Sequence, residues 1–120
     1  FKSFVCNKLQ VLKNFALGGA QQIKLTAVAA NYVILDEDFL LGVDSSGGSW
    51  TITFPQGVAW VGRFFVIKDE ENHAGGFSLI GQPDANEEIE GGRVNTPVVL
   101  VGTNGGAVQV YSNGSNWFIF

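Results

Sequence analysis

Residues 61–72, VGRFFVIKDEEN, decide how the rest of the chain is read. Phe64, Phe65, Val66 and Ile67 form an unbroken apolar run, opened by Gly62 and closed by Lys68-Asp69-Glu70-Glu71-Asn72. Aromatic and β-branched residues fit a pleated surface, and a run with no polar member suits a strand covered on both faces. A run this short also suits a buried helix, but the nearby glycines and the polar stop favour a strand. The expectation is a buried strand around which the other segments are placed.

Working outward, the same grammar repeats. Tyr32-Val33-Ile34-Leu35 reads as a strand, Asp36-Glu37-Asp38 as a polar turn, and Phe39-Leu40-Leu41-Gly42-Val43 as the next strand. Asp44-Ser45-Ser46-Gly47-Gly48-Ser49 reads as a hairpin connection, because Asp, Ser and Gly bond their own backbone or accept positive φ. Trp50, Ile52 and Phe54 alternate with Thr51 and Thr53 until Pro55 stops the run. Beyond the central strand come Phe77-Ser78-Leu79-Ile80, an acidic turn-rich stretch over residues 83–92, and Pro97-Val98-Val99-Leu100-Val101. Asn104-Gly105 is a strong reverse-turn signal. Ala107, Gln109 and Tyr111 alternate with Val108 and Val110, residues 112–116 turn again, and Trp117-Phe118-Ile119-Phe120 ends the sequence. Seven to nine short strands without a long helix predict an all-β fold, an antiparallel sandwich, barrel or prism-like domain.

Residues 1–26 read differently, as a stem or linker before a β domain over residues 27–120. Val5, Leu9, Leu12 and Ala16 recur at heptad-like spacing with Gly18-Gly19 as a stop, which suits a helix. Leu9, Val11, Phe15 and Leu17 nearly alternate, with Lys13 as the exception, which suits an extended strand. Both readings stand. Gln21-Gln22-Ile23-Lys24-Leu25-Thr26 resumes strand-like alternation.

The 120 residues amount to one domain, with sixteen glycines, ten phenylalanines, three tryptophans and no methionine. Apolar residues make up 46% and charged residues only 15%, few ionic groups to cover a small fold. Part of that apolar surface is expected to face another chain. A net charge of -4 without a basic cluster argues against nucleic-acid binding. One cysteine, Cys6, gives neither a disulfide framework nor a cysteine metal site. No run reaches the ~20 apolar residues of a membrane helix, so no membrane insertion is expected, and residues 1–25 lack the order of a signal peptide. Starting at Phe1, the sequence reads as a fragment or processed product.

No signature for catalysis or a cofactor appears. Asp36 and Asp38 lie two apart, about 7 Å on an extended chain, a separation used by inverting glycosidases. Acidic turn residues are ordinary, so a solvated turn is the favoured reading. Glu87, Glu88 and Glu90 lack the Asp-x-Asp-x-Asp-Gly spacing of a calcium loop. His73 sits beside Gly75-Gly76 with no nominated nucleophile, an exposed loop histidine. No glycine cluster is followed by Lys-Ser/Thr, so none is a phosphate loop.

The ordered set Tyr32-Val33-Ile34-Leu35, Gly42-Val43-Asp44-Ser45-Ser46-Gly47-Gly48, Thr51-Ile52-Thr53-Phe54-Pro55, Gly62-Arg63 with Val66-Ile67-Lys68-Asp69-Glu70, Ile89-Glu90-Gly91 and Val108-Gln109-Val110-Tyr111 through Trp117 resembles a β-rich module of tailed-bacteriophage fibre, tailspike and head-fibre proteins. The resemblance covers about residues 27–120. It implies a structural virion appendage, a homotrimer that supports host attachment or surface decoration and joins other virion proteins through flanking chain. On that reading Trp117, Phe118, Ile119, Phe120, Phe64 and Phe65 are expected at the trimer interface. Arg63, Lys68 and Asp69 are candidates for intersubunit ion pairs or for ordinary solvated strand ends. Trp60, in a loop between glycines, is a candidate contact for a host-surface glycan, since an exposed ring stacks on a sugar. A polysaccharide depolymerase is the weakest alternative, because the chain is short for the parallel β-helix that houses that activity.

Overall fold

A computed structural model describes residues 16 and 18–120. The stem readings on residues 1–15 and on Leu17, and the reading of Cys6, lie outside the described residues. Nine strands are described: β1 (Leu25–Val28), β2 (Tyr32–Val33), β3 (Leu40–Val43), β4 (Thr51–Thr53), β5 (Phe64–Asp69), β6 (Leu79–Gln82), β7 (Val98–Val101), β8 (Ala107–Ser112) and β9 (Trp117–Ile119). The helical content of the described residues is a single 3-10 turn, Gly57–Trp60. The all-β class is therefore as expected. β1 begins at Leu25, inside the segment read as stem.

The pairing departs from the expectation. One sheet has the order β1-β3-β5-β8-β9 and the other β2-β4-β6-β7. β1, β3 and β5 run parallel, and so do β2, β4 and β6; only β5-β8, β6-β7 and β8-β9 are antiparallel. From β1 to β6 the chain alternates between the sheets at every strand, so it winds in coils instead of folding back on itself. The Asp44–Ser49 stretch is accordingly no hairpin: it carries the chain from β3 to β4 in the other sheet. Trp50 Nε1 donates to Asp44 O at 2.7 Å and Ser46 N to Asp44 Oδ1 at 2.9 Å, which fixes that crossover. Strand alternation looks the same in either topology, so the residues alone do not separate them.

Coiling sends one side of each strand inward. Leu41, Val43, Phe65, Ile67, Val108, Val110 and Trp117 of the first sheet join Ile52, Leu79 and Val101 of the second in one core. At its heart Phe65 and Trp117 lie 5.3 Å apart, Phe54 is 5.0 Å from Phe65 and 5.2 Å from Trp117, and Trp60 is 6.0 Å from Phe65. Each side chain buried in this way contributes about 1.5–3 kcal/mol. Trp117 and Phe65, expected between subunits, are thus fully buried within their own chain. The far edge is also sealed: Glu90 Oε2 accepts the Ile119 N–H at 2.5 Å, and Trp117 N donates to Glu88 O at 3.0 Å. An edge strand so occupied offers little to a foreign strand.

The central strand alternates. Phe65, Ile67 and Asp69 are buried while Phe64 is exposed and Val66 and Lys68 are half-buried. The double coverage inferred from its apolar run is supplied on one face only.

Candidate interaction face on the five-stranded sheet

Register brings the uncovered side chains together. Phe64 of β5 pairs with Tyr111 of β8, and Tyr111 with Phe118 of β9, which makes one row across three strands. Just after β9, the Phe120 N–H donates to Gln109 O at 3.0 Å, which holds the end of the sequence against the same face. Its ring lies 5.6 Å from Phe64 and 5.5 Å from Tyr111; Tyr111 lies 5.6 Å from Phe118, and Phe39 packs 5.0 Å from Phe64. The neighbouring row is Leu25, Leu40 and Val66. Phe64 and Tyr111 remain 38% exposed and Phe120 58%. At about 200 Å² per ring, these three leave on the order of 270 Å² of aromatic surface in water. With their aliphatic neighbours they approach the 300–600 Å² typical of the largest patch on a monomer. Edge-to-face rings present an apolar, non-reactive surface, and what it can do is bind another apolar surface.

Phe118, Phe120 and Phe64 of the expected interface do share this face, whereas Phe65 and Trp117 do not. Ile119 pairs with Val110 and is half-buried. Phe39 and Tyr111 were missed. Tyr111 was readable from its alternation with Val108 and Val110; Phe39 precedes its strand, and nothing in the sequence aims its ring.

The charged candidates are spent inside the chain. Arg63 pairs with Asp36 at 2.8 Å and sets its guanidinium 3.7 Å from the centre of the Trp60 ring. Trp60 is only 2% exposed. This corrects its reading as a glycan contact: the loop carrying it forms a 3-10 turn that folds the indole into the core. Lys68 Nζ donates to Gly105 O. Asp69 is buried and accepts the Ala74 N–H at 3.0 Å, the Gly105 N–H at 2.9 Å and the His73 N–H at 3.4 Å. Burial pushes its carboxyl up, but these amides more than offset that and hold it below the usual range.

Asp36 and Asp38 do not form a dyad. Asp36 is exposed on Arg63, while Asp38 is buried and accepts Tyr32 Oη at 2.6 Å, Thr26 Oγ1 at 2.8 Å and Leu35 N at 2.8 Å. The turn was read as solvated; Asp36 and Glu37 are exposed, but Asp38 instead ties β1 and β2 to the loop that follows β2. Burial raises its carboxyl, and the Tyr32, Leu35 and Thr26 donors with Lys24 bring it below the ordinary value. Burial, then the Asp38 hydrogen bond and charge, pushes the Tyr32 phenol up to about 12. His73 is exposed. Among the described residues no three His, Cys, Asp or Glu side chains gather as metal ligands. No described helix is long and apolar enough to cross a membrane. No family model matches the chain, and no curated protein matches its sequence.

Proposed function

We propose that the chain is a nonenzymatic structural module of a phage-like virion appendage. It associates with two further copies through the outer face of the five-stranded sheet, in a threefold, prism-like arrangement. The observation that carries the assembly reading is the Phe39–Phe64–Tyr111–Phe118–Phe120 cluster, in which Phe64, Tyr111 and Phe120 are left exposed and Phe39 and Phe118 half-buried. The virion setting rests on the sequence resemblance. Covering about 270 Å² of ring surface is worth about 7 kcal/mol per chain at 25 cal/mol/Å². Association costs about 4–15 kcal/mol, so Leu25, Leu40 and Val66 must contribute as well. A ring of three buries the same patch on every subunit and closes, leaving no free copy of it.

The test is the native mass of the full chain. Three times 12.9 kDa is expected, and Phe64→Ser with Phe120→Ser should reduce it to one while the fold persists. A parent chain that stays single at high concentration would overturn the reading. Deleting residues 117–120 is not a clean probe, because it also takes Trp117 out of the core.

A further inference from the structure

β1 and β2, the first strands of the winding, are each the terminal strand of their sheet. At the opposite end of the five-stranded sheet β9 is sealed by Glu88 and Glu90, but β1 has no such cover among the described residues. Lys24 O accepts the Leu40 N–H at 3.4 Å and Val28 O accepts the Asp44 N–H at 2.8 Å, so the even-numbered residues of this segment face β3. The N–H and C=O groups of Leu25 and Ala27 therefore point away from the sheet, and neither residue pairs with a described neighbour on that side.

Natural edges are blocked by proline, bulges or charge. β1 carries none of these. Its register with β3 is unbroken, Leu25 is 54% exposed with Ile23 nearby at 46%, and the Lys24 ammonium is turned to Glu37 at 3.4 Å. The inner row is unfinished too: Thr26 continues Leu41, Ile67 and Val108 across the sheet, yet it stays half-buried while those three are buried.

Independently of how copies associate, we propose that the edge of β1 is the docking site of residues 8–11, Lys8-Leu9-Gln10-Val11, which add a strand parallel to β1 and start the winding one coil earlier. The connection is long enough. Residues 29–39 carry the chain from β1 to β3, and residues 12–24, which include Gly18-Gly19, are two residues longer. A parallel crossover needs about a dozen. A segment joined so closely is present at about millimolar effective concentration, ahead of any foreign strand. Its chemistry fits both faces. With Leu9 beside Thr26 and Val11 beside Val28, the two apolar side chains extend the inner rows, and Lys8 and Gln10 stand outside. Lys8 then gives the new edge the charge that β1 lacks. Of the two periods in this part of the sequence, the open edge selects the two-residue one.

The experiment is amide hydrogen exchange on the isotope-labelled full chain. Leu25 and Ala27 are expected to exchange at least about tenfold more slowly than a free chain, as Thr26 and Val28 do through their bonds to β3. Leu9→Asp with Val11→Asp puts charge against the inner rows and should return Leu25 and Ala27 to within about twofold of free-chain rates. Thr26 and Val28 should stay slow in that variant, which shows that the fold persists. A nitroxide on Cys6 of the otherwise unaltered chain should broaden the Leu25 and Ala27 amide signals. Fast exchange of Leu25 and Ala27 in the parent chain overturns the proposal, and so does the absence of that broadening. Protection that the double variant leaves intact, or that rises with protein concentration as a second copy on this edge would make it, overturns it equally.

Discussion

Asp69 ends the central strand, and removing its carboxylate tests whether the crossovers are tied down as the geometry indicates. In Asp69→Ala the Ala74 and Gly105 amides lose acceptors at 3.0 and 2.9 Å, and the longer His73 bond goes with them. Hydrogen bonds to a charged group contribute about 1.5–3 kcal/mol each, so the two short ones together amount to about 3–6 kcal/mol. Against a total stability of about 5–15 kcal/mol, that is a large fraction. Urea unfolding followed by tryptophan fluorescence should show the midpoint falling by about 1.5–3 M for a slope of about 2 kcal/mol/M. Ala74 and Gly105 both bond to Oδ2, so Asp69→Asn can keep those two acceptor contacts while losing the charge and the longer His73 bond to Oδ1. Its midpoint should fall between those of the parent and the alanine variant. If Asp69→Ala moves the midpoint by less than about 0.3 M at unchanged slope, the buried carboxylate is not clamping these loops and the reasoning fails.

Stability should fall at both ends of the pH scale. Asp38 and Asp69 have folded-state values below their unfolded ones, so their contribution is present above about pH 4 and is lost as pH drops through the lowered values. Tyr32 is raised to about 12, so its contribution is present below about pH 10 and is lost as pH climbs towards 12; Tyr32→Phe should flatten the alkaline limb of a thermal melt against pH. Trp117→Ala should cost about 3–5 kcal/mol in chemical denaturation, because the side chain is fully buried among aromatic rings. Gly57→Ala should cost about 1–3 kcal/mol, since Glu87 and Ser112 must both move to admit the methyl group. An unchanged melting curve for that variant would show that Glu87 and Ser112 are not held tightly against Gly57.

Much of the architecture was readable before folding. Alternation in Thr51-Ile52-Thr53 and across residues 107–111, with turn residues between runs, identified strands that the structure places within a residue or two. The Asn113 turn was equally plain: its Oδ1 accepts the Ser115 and Asn116 amides, both at 2.9 Å, and joins β8 to β9. Pairing direction was not readable, because a strand carries the same two-residue period whether its neighbour runs with it or against it. Of the interaction face, Phe64, Phe118 and Phe120 were legible as large apolar residues. Trp117 and Phe65 share their chemistry and differ only in the side of the pleat they occupy.

Composition and period alone determined that this chain forms short strands with more apolar area than its few charges can cover. Only the tertiary structure decided which apolar residues stay wet and which carboxylates are buried. Coiling turned Trp60, Phe65 and Trp117 inward, left Phe64, Tyr111 and Phe120 outside, and drew Asp38, Asp69 and Glu87 onto backbone amides. The physical reason is that burial depends on which strands end up neighbours, a relation between distant residues that no local pattern encodes.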